Sequence, residues 1–229
     1  MVLKSASLAI EVSDGSMQSY RVSPDVGAAA GVVVIQEIFG VNSHIREVAD
    51  KVALAGYGVL APDIFHRQQP GVELGYEEAD IGTGFALMQQ LDIASAVQDI
   101  GACVAALREE TGGHVAVMGF CMGGLLAYLS AAAGQPDAAV SYYGGGIADH
   151  LDQVGQIQCP LLFHFGEQDD HIPMAQVEAI RGAVSGIDAT IHTYPAGHGF
   201  NCDQRGSYDA AAANLAWQRT EEFLARHLL

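Results

Sequence analysis

Positive charge is scarce in this chain. Of 229 residues, Lys and Arg supply 10 against 27 Asp and Glu, for a formal net charge of −17. Nucleic-acid binding rests on cationic side chains that neutralise phosphates, so this balance argues against such a partner. It equally opposes attraction to anionic membrane surfaces. Long apolar runs are missing too. Met1-Val2-Leu3-Lys4 does not begin a secretory signal, and no stretch reaches membrane-spanning length without interruption. Cysteine is sparse. Cys103, Cys121, Cys159 and Cys202 form neither a C-x-x-C pair nor a zinc-ligand pattern. These absences predict a soluble, cytoplasmic protein with reduced thiols and no metal site.

Half of the residues are hydrophobic, which excludes disorder. The length suits one α/β domain covering 1–229. From Val32 onward, β-branched runs alternate with helical patterns. Expected strands are Val32–Ile35, Gly58–Ala61, Val115–Met118, Ala139–Tyr143, Leu161–Phe165 and Ala189–Tyr194. The continuous β-branched run Val32–Ile35 suits a strand buried on both faces. The prediction is a mostly parallel sheet with helices on both faces. Ser7–Val12 and Gln18–Val22 flank Asp14-Gly15-Ser16 and predict an antiparallel hairpin at one edge. Helices are expected from Asn42 or Ser43 to Gly56, over Ala86–Leu107, from Met174, and over Asp209–Leu229. Gln68–Gly84, broken by Gly, Pro and Thr, reads as an irregular excursion near the site.

The chemistry centres on Gly119-Phe120-Cys121-Met122-Gly123-Gly124. An apolar strand precedes it and a small-residue helix follows. This is a nucleophile elbow with cysteine in place of the usual serine. The turn lifts the sulfur off the sheet, and the helix N-terminus behind it favours a thiolate. An acid and a base should follow later strands, in that order. Gly166-Glu167-Gln168-Asp169-Asp170 supplies the acid, with Asp169 and Asp170 both open on spacing. Gly197-His198-Gly199 supplies the imidazole. His171 is a weaker competitor, while His164 and His192 lie within strands and read as packed or surface residues. Gln36-Glu37-Ile38-Phe39-Gly40 follows the first core strand. Its Ile38 N–H and the Met122 N–H can form an oxyanion hole. Glu37 would either raise the thiol pKa by repulsion or take its proton.

Together these motifs resemble the dienelactone hydrolase family of α/β-hydrolases. Ala61-Pro62-Asp63 and Tyr142-Tyr143-Gly144 extend the likeness over nearly the whole chain. The resemblance implies a Cys121–His198–Asp169 triad, with Asp169 selected over Asp170. It implies that Glu37 contacts the resting thiol and helps release the thiolate, and that Phe39 and Tyr143 line the pocket. It implies hydrolysis of a small ester or lactone through a thioester acyl-enzyme, without metal or organic cofactor, in a monomer or small homo-oligomer. The family's best-known members hold a substrate carboxylate with two arginines. Here Gln68–Leu91 contains no Arg or Lys, position 202 is Cys, and the next Arg is Arg205. Arg67 is a candidate substitute. The same thiolate could instead attack a phosphotriester or thioester. A further reading makes Cys121 a redox sensor, with Cys202 as resolving thiol.

Overall fold

The computed structural model describes residues 2–229. Its strands are β1 Leu3–Val12, β2 Gly15–Pro24, β3 Gly31–Ile35, β4 Gly58–Pro62, β5 Val115–Phe120, β6 Ala138–Tyr142, β7 Leu161–Gly166 and β8 Ala189–Tyr194. They form one sheet in the order β1-β2-β4-β3-β5-β6-β7-β8. β1 and β2 are an antiparallel hairpin at the edge, and β2 joins β4 antiparallel. Every later pairing is parallel. Every residue of β3 to β7 is buried, which is why these strands read as mainly apolar runs, with Ser141 and His164 as the polar members. Each fully buried Val of β3 contributes on the order of 1.5–3 kcal/mol.

The helices are α1 Ser43–Leu54, α2 Glu78–Gln89, α3 Ile93–Thr111, α4 Met122–Ala132, α5 Met174–Ala183 and α6 Ala210–Leu228. The chain leaves β3 toward one edge and returns through β5 to the other. Between β3 and β5 lies the switch point where open α/β sheets place their ligands. Among the described residues, no helix is long and apolar enough to cross a membrane.

One expected helix is corrected. The apolar spacing over Ala86–Leu107 spans two helices, not one. Asp92 breaks it, because its Oδ1 accepts from the Ser95 N–H at 2.7 Å and caps α3. The tail of the expected excursion is also ordered. α2 starts at Glu78, and the Glu77 N–H donates to Asp80 at 3.2 Å.

His164, on β7, is fully buried between Tyr194 Oη (2.8 Å) and Thr220 Oγ1 (3.0 Å). Burial holds its pKa well below the ordinary 6.5, so the folded protein keeps it neutral. Below 6.5 the unfolded chain gains a proton that the folded chain refuses. Stability should therefore fall as pH drops from 6.5. Thermal melts between pH ~8 and ~5 should show a flatter acid slope in His164→Asn than in the wild type.

Candidate active site

Three loops at the carboxyl ends of β3, β5 and β8 converge, joined by a fourth after β7. The elbow after β5 holds Cys121 at φ 54° and ψ −117°. Left-handed backbone is strained for any residue with a Cβ. Cys121 itself takes this strain. The elbow glycines serve space instead. A Cβ on Gly119 would lie 1.9 Å from Gly123 O, and one on Gly123 would lie 2.5 Å from both Ile35 O and Gln36 O. Gly123→Ala should therefore push the elbow off the β3 loop. The expected loss is about 1–3 kcal/mol in urea denaturation, with a larger relative loss of activity.

The imidazole stands between sulfur and carboxylate. His198 Nε2 lies 3.1 Å from Cys121 Sγ, and Nδ1 lies 2.7 Å from Asp169 Oδ2. The other carboxylate oxygen of Asp169 accepts the N–H groups of His171 (2.8 Å) and Ile172 (3.1 Å). Asp170 is exposed and takes no part in this chain of bonds. Burial works against charge on His198, but its bonds to Asp169 and Cys121 outweigh that and raise its pKa to about 10. Burial also opposes charge on Asp169, yet His198 and the two N–H donors keep its carboxyl below the ordinary range.

Gln36 fixes the β3 loop. Its Oε1 accepts from the Ile64 N–H at 3.1 Å, and its Nε2 donates to Glu37 O at 3.2 Å. Ile38 and Met122 both line the cavity beside Cys121. Among the described residues, neither backbone N–H has an acceptor. Each amide is thus free to receive an oxygen from a ligand.

Glu37 is buried and pairs with Arg205, whose Nη1 lies 3.1 Å from Oε1; it makes no hydrogen bond to Cys121. Its second oxygen has no partner. Arg205 also lies over the rings of Phe39 and Tyr76, at 5.6 and 5.8 Å. Burial disfavours its charge, but Glu37 outweighs that and raises its pKa. The spacing from His198 had set Arg205 aside. The backbone brings it back through two successive turns, with Cys202 N bonded to Gly199 O and Arg205 N to Cys202 O.

Two substrate-binding expectations need correction. Arg67 does not reach the cavity. Its guanidinium is bound by Asp14, at 2.6 and 2.8 Å, and by buried Asp99. Two carboxylates hold it at the foot of the β1–β2 hairpin. Tyr143 is fully buried behind the site, not on the cavity wall. Its ring meets His198 edge-on at 5.2 Å and Phe200 at 5.3 Å, so it supports the imidazole from behind. Phe39 does line the cavity.

The cavity beside Cys121 measures about 490 Å³. α2 gives it Ile81, within the expected excursion, Met88, within the expected undivided helix, and Phe85, which lay between the two. α2 can come this close because of Gly84. A Cβ there would sit 2.6 Å from Ile38 O. Behind the site, Glu37, His44 and Cys202 place ligand-type atoms within 4.8 Å of one another. It is the one group among the described residues able to hold a metal ion. Burial pushes the Cys202 thiol up to about 12, opposite to the lowered value a redox-active thiol needs.

Comparison with known proteins follows from this geometry. The pattern of the Dienelactone hydrolase family matches residues 17–228. The chain belongs to that family. A Synechocystis protein, assigned as a carboxymethylenebutenolidase by inference, is 41% identical over 217 residues, covering 89% of this chain and 88% of that one. The carboxymethylenebutenolidase of Pseudomonas putida is 37% identical over 224 residues, with 95% of each covered. A Klebsiella pneumoniae structure, assigned as a dienelactone hydrolase by inference, superimposes with TM-score 0.89 at 29% identity, over 98% of this chain and 99% of that one. As a member of the dienelactone hydrolase family, the chain is an ester or lactone hydrolase.

Proposed function

We propose that this dienelactone hydrolase family member cleaves an ester or lactone through a thioester formed on Cys121. The observation that carries this reading is the unbroken line Cys121 Sγ–His198–Asp169, with separations of 3.1 and 2.7 Å. The pKa of His198, about 10, favours a proton on the imidazole beside the sulfur. The sulfur adds to the substrate carbonyl. The N–H groups of Ile38 and Met122 hold the oxygen as it gains charge. The carbonyl re-forms and expels the alkoxide, which takes the proton from His198. The acyl group remains as a thioester. His198, now neutral, removes a proton from water, and hydroxide attacks the thioester. The resulting tetrahedral intermediate collapses with cleavage of the C–S bond, the carboxylic acid leaves with its own proton, and thiolate and imidazolium, which holds the proton taken from water, are restored. Asp169 keeps the ring in the orientation that places Nε2 on sulfur.

Glu37 and Arg205 lie outside this proton path. With Glu37 held by Arg205, its negative charge is balanced and does not oppose the thiolate. The test is intact-mass spectrometry during turnover of para-nitrophenyl acetate. A protein species heavier by one acetyl group is expected on the wild type and not on Cys121→Ala. An adduct that persists in the variant would move the nucleophile elsewhere. Product analysis with a phosphotriester and a thioester reads out the other electrophiles that this sulfur could attack.

A further inference from the structure

We propose that the natural substrate is an uncharged ester or lactone carrying an apolar group of several carbons, selected by the α2 wall of the cavity. The inference rests on the triad reading above and deepens it. Ile81, Phe85 and Met88 recur at i, i+4 and i+7 on α2, so they share one helix face, and that face borders the cavity. Leu91, Ile93 and Leu125 continue the same surface. Phe85 and Ile93 are each 39% exposed although both are large and apolar. Exposed apolar side chains gathered at the mouth of a cavity mark a surface that a ligand covers.

Charge points the same way. A substrate carboxylate needs a cation, best a guanidinium fork. Arg67 is consumed by Asp14 and Asp99, away from the cavity. Arg205 is the one Arg or Lys that borders the cavity, and its charge is already matched by buried Glu37. The two imidazoles there are His198, engaged by Asp169 and Cys121, and His171, which offers no fork. A carboxylate lying against Phe85 and Met88 would lose water and gain no partner. The net charge of −17 repels anions at longer range as well. A cavity of about 490 Å³ far exceeds the needs of an acetyl group.

The experiment compares kcat/KM for the para-nitrophenyl esters of acetic, butyric, hexanoic and adipic acid. Leaving group and chemistry stay constant. Hexanoate and adipate share a six-carbon chain and differ in a terminal methyl or carboxylate. Each buried methylene should raise kcat/KM about fourfold. Hexanoate should exceed adipate by at least ~10-fold. In Phe85→Lys, a change at a partly exposed position, the adipate-to-hexanoate ratio should rise about tenfold. If acetate is hydrolysed but adipate matches or exceeds hexanoate, or the neutral series is flat, the inference fails and the triad reading stands. If none of the four esters is hydrolysed, the triad reading fails and takes the inference with it.

Discussion

Cys121→Ala should lower kcat/KM for para-nitrophenyl acetate by at least ~10,000-fold. In the proposed mechanism the sulfur forms and breaks the covalent bond, and among the described residues no other thiol is hydrogen-bonded to His198. Cys103 is fully buried on α3, Cys202 is fully buried with its thiol pushed up to about 12, and Cys159 lies before β7 with its thiol pushed up to about 11 by burial. His198→Gln should cost a comparable amount, since sulfur and imidazole act as one unit. The double variant should then be little worse than either single change, because groups that act together are strongly non-additive. What remains should be the weak rate enhancement of binding and the Ile38 and Met122 donors. Thermal melts of the single variants separate lost chemistry from lost folding. A Cys121→Ala protein that keeps a tenth of wild-type activity would remove the sulfur from the mechanism.

The second large effect is on pH. Asp169→Asn should reduce kcat/KM on the order of 1,000-fold and also move the alkaline limb of the profile. In the wild type, the bonds to Asp169 and Cys121 overcome burial and hold His198 at about 10, so activity should fade as pH rises through about 10 and the leaving group loses its proton donor. Without the Asp169 carboxylate, the His198 pKa moves down toward 6.5 and the limb moves with it. The stability effect has the same origin. The raised His198 pKa adds stability that is complete below 6.5 and disappears as pH climbs through about 10. The melting difference between wild type and Asp169→Asn should therefore narrow from pH ~6 to ~10. A limb unmoved in the variant would leave Asp169 with no part in tuning the imidazole.

The sheet was legible because its central strands are buried on both faces. Val32–Ile35 reads as an unbroken apolar run and Leu161–Phe165 is interrupted only by His164, and no amphipathic helix has that pattern. The order of elbow, acid and His was legible because each follows its own strand. The choice between Asp169 and Asp170 was not open to spacing. It depends on a backbone turn that lets one side chain accept from two N–H groups while its neighbour faces solvent. The division of α2 from α3 was hidden because apolar residues continue across Asp92, and one side-chain cap ends the register. Arg67 misled because a lone Arg near a site resembles a binding group, while the carboxylates that occupy it come from Asp14 and Asp99, far away in sequence. Arg205 was hidden for the opposite reason, since a series of tight turns returns it to the centre.

Gly84 ties two duties of the molecule together. The floor that greets an incoming molecule rests directly on Ile38, with no methyl group between them as a cushion. A guest too wide for the chamber must displace this helix, and Ile38 would be dragged with it. On the proposed mechanism, a poor fit then spoils the receptor for the developing oxygen as well as the grip on the guest. Size discrimination in such an arrangement shows in the speed of the chemical step, beyond any change in how tightly the molecule is held.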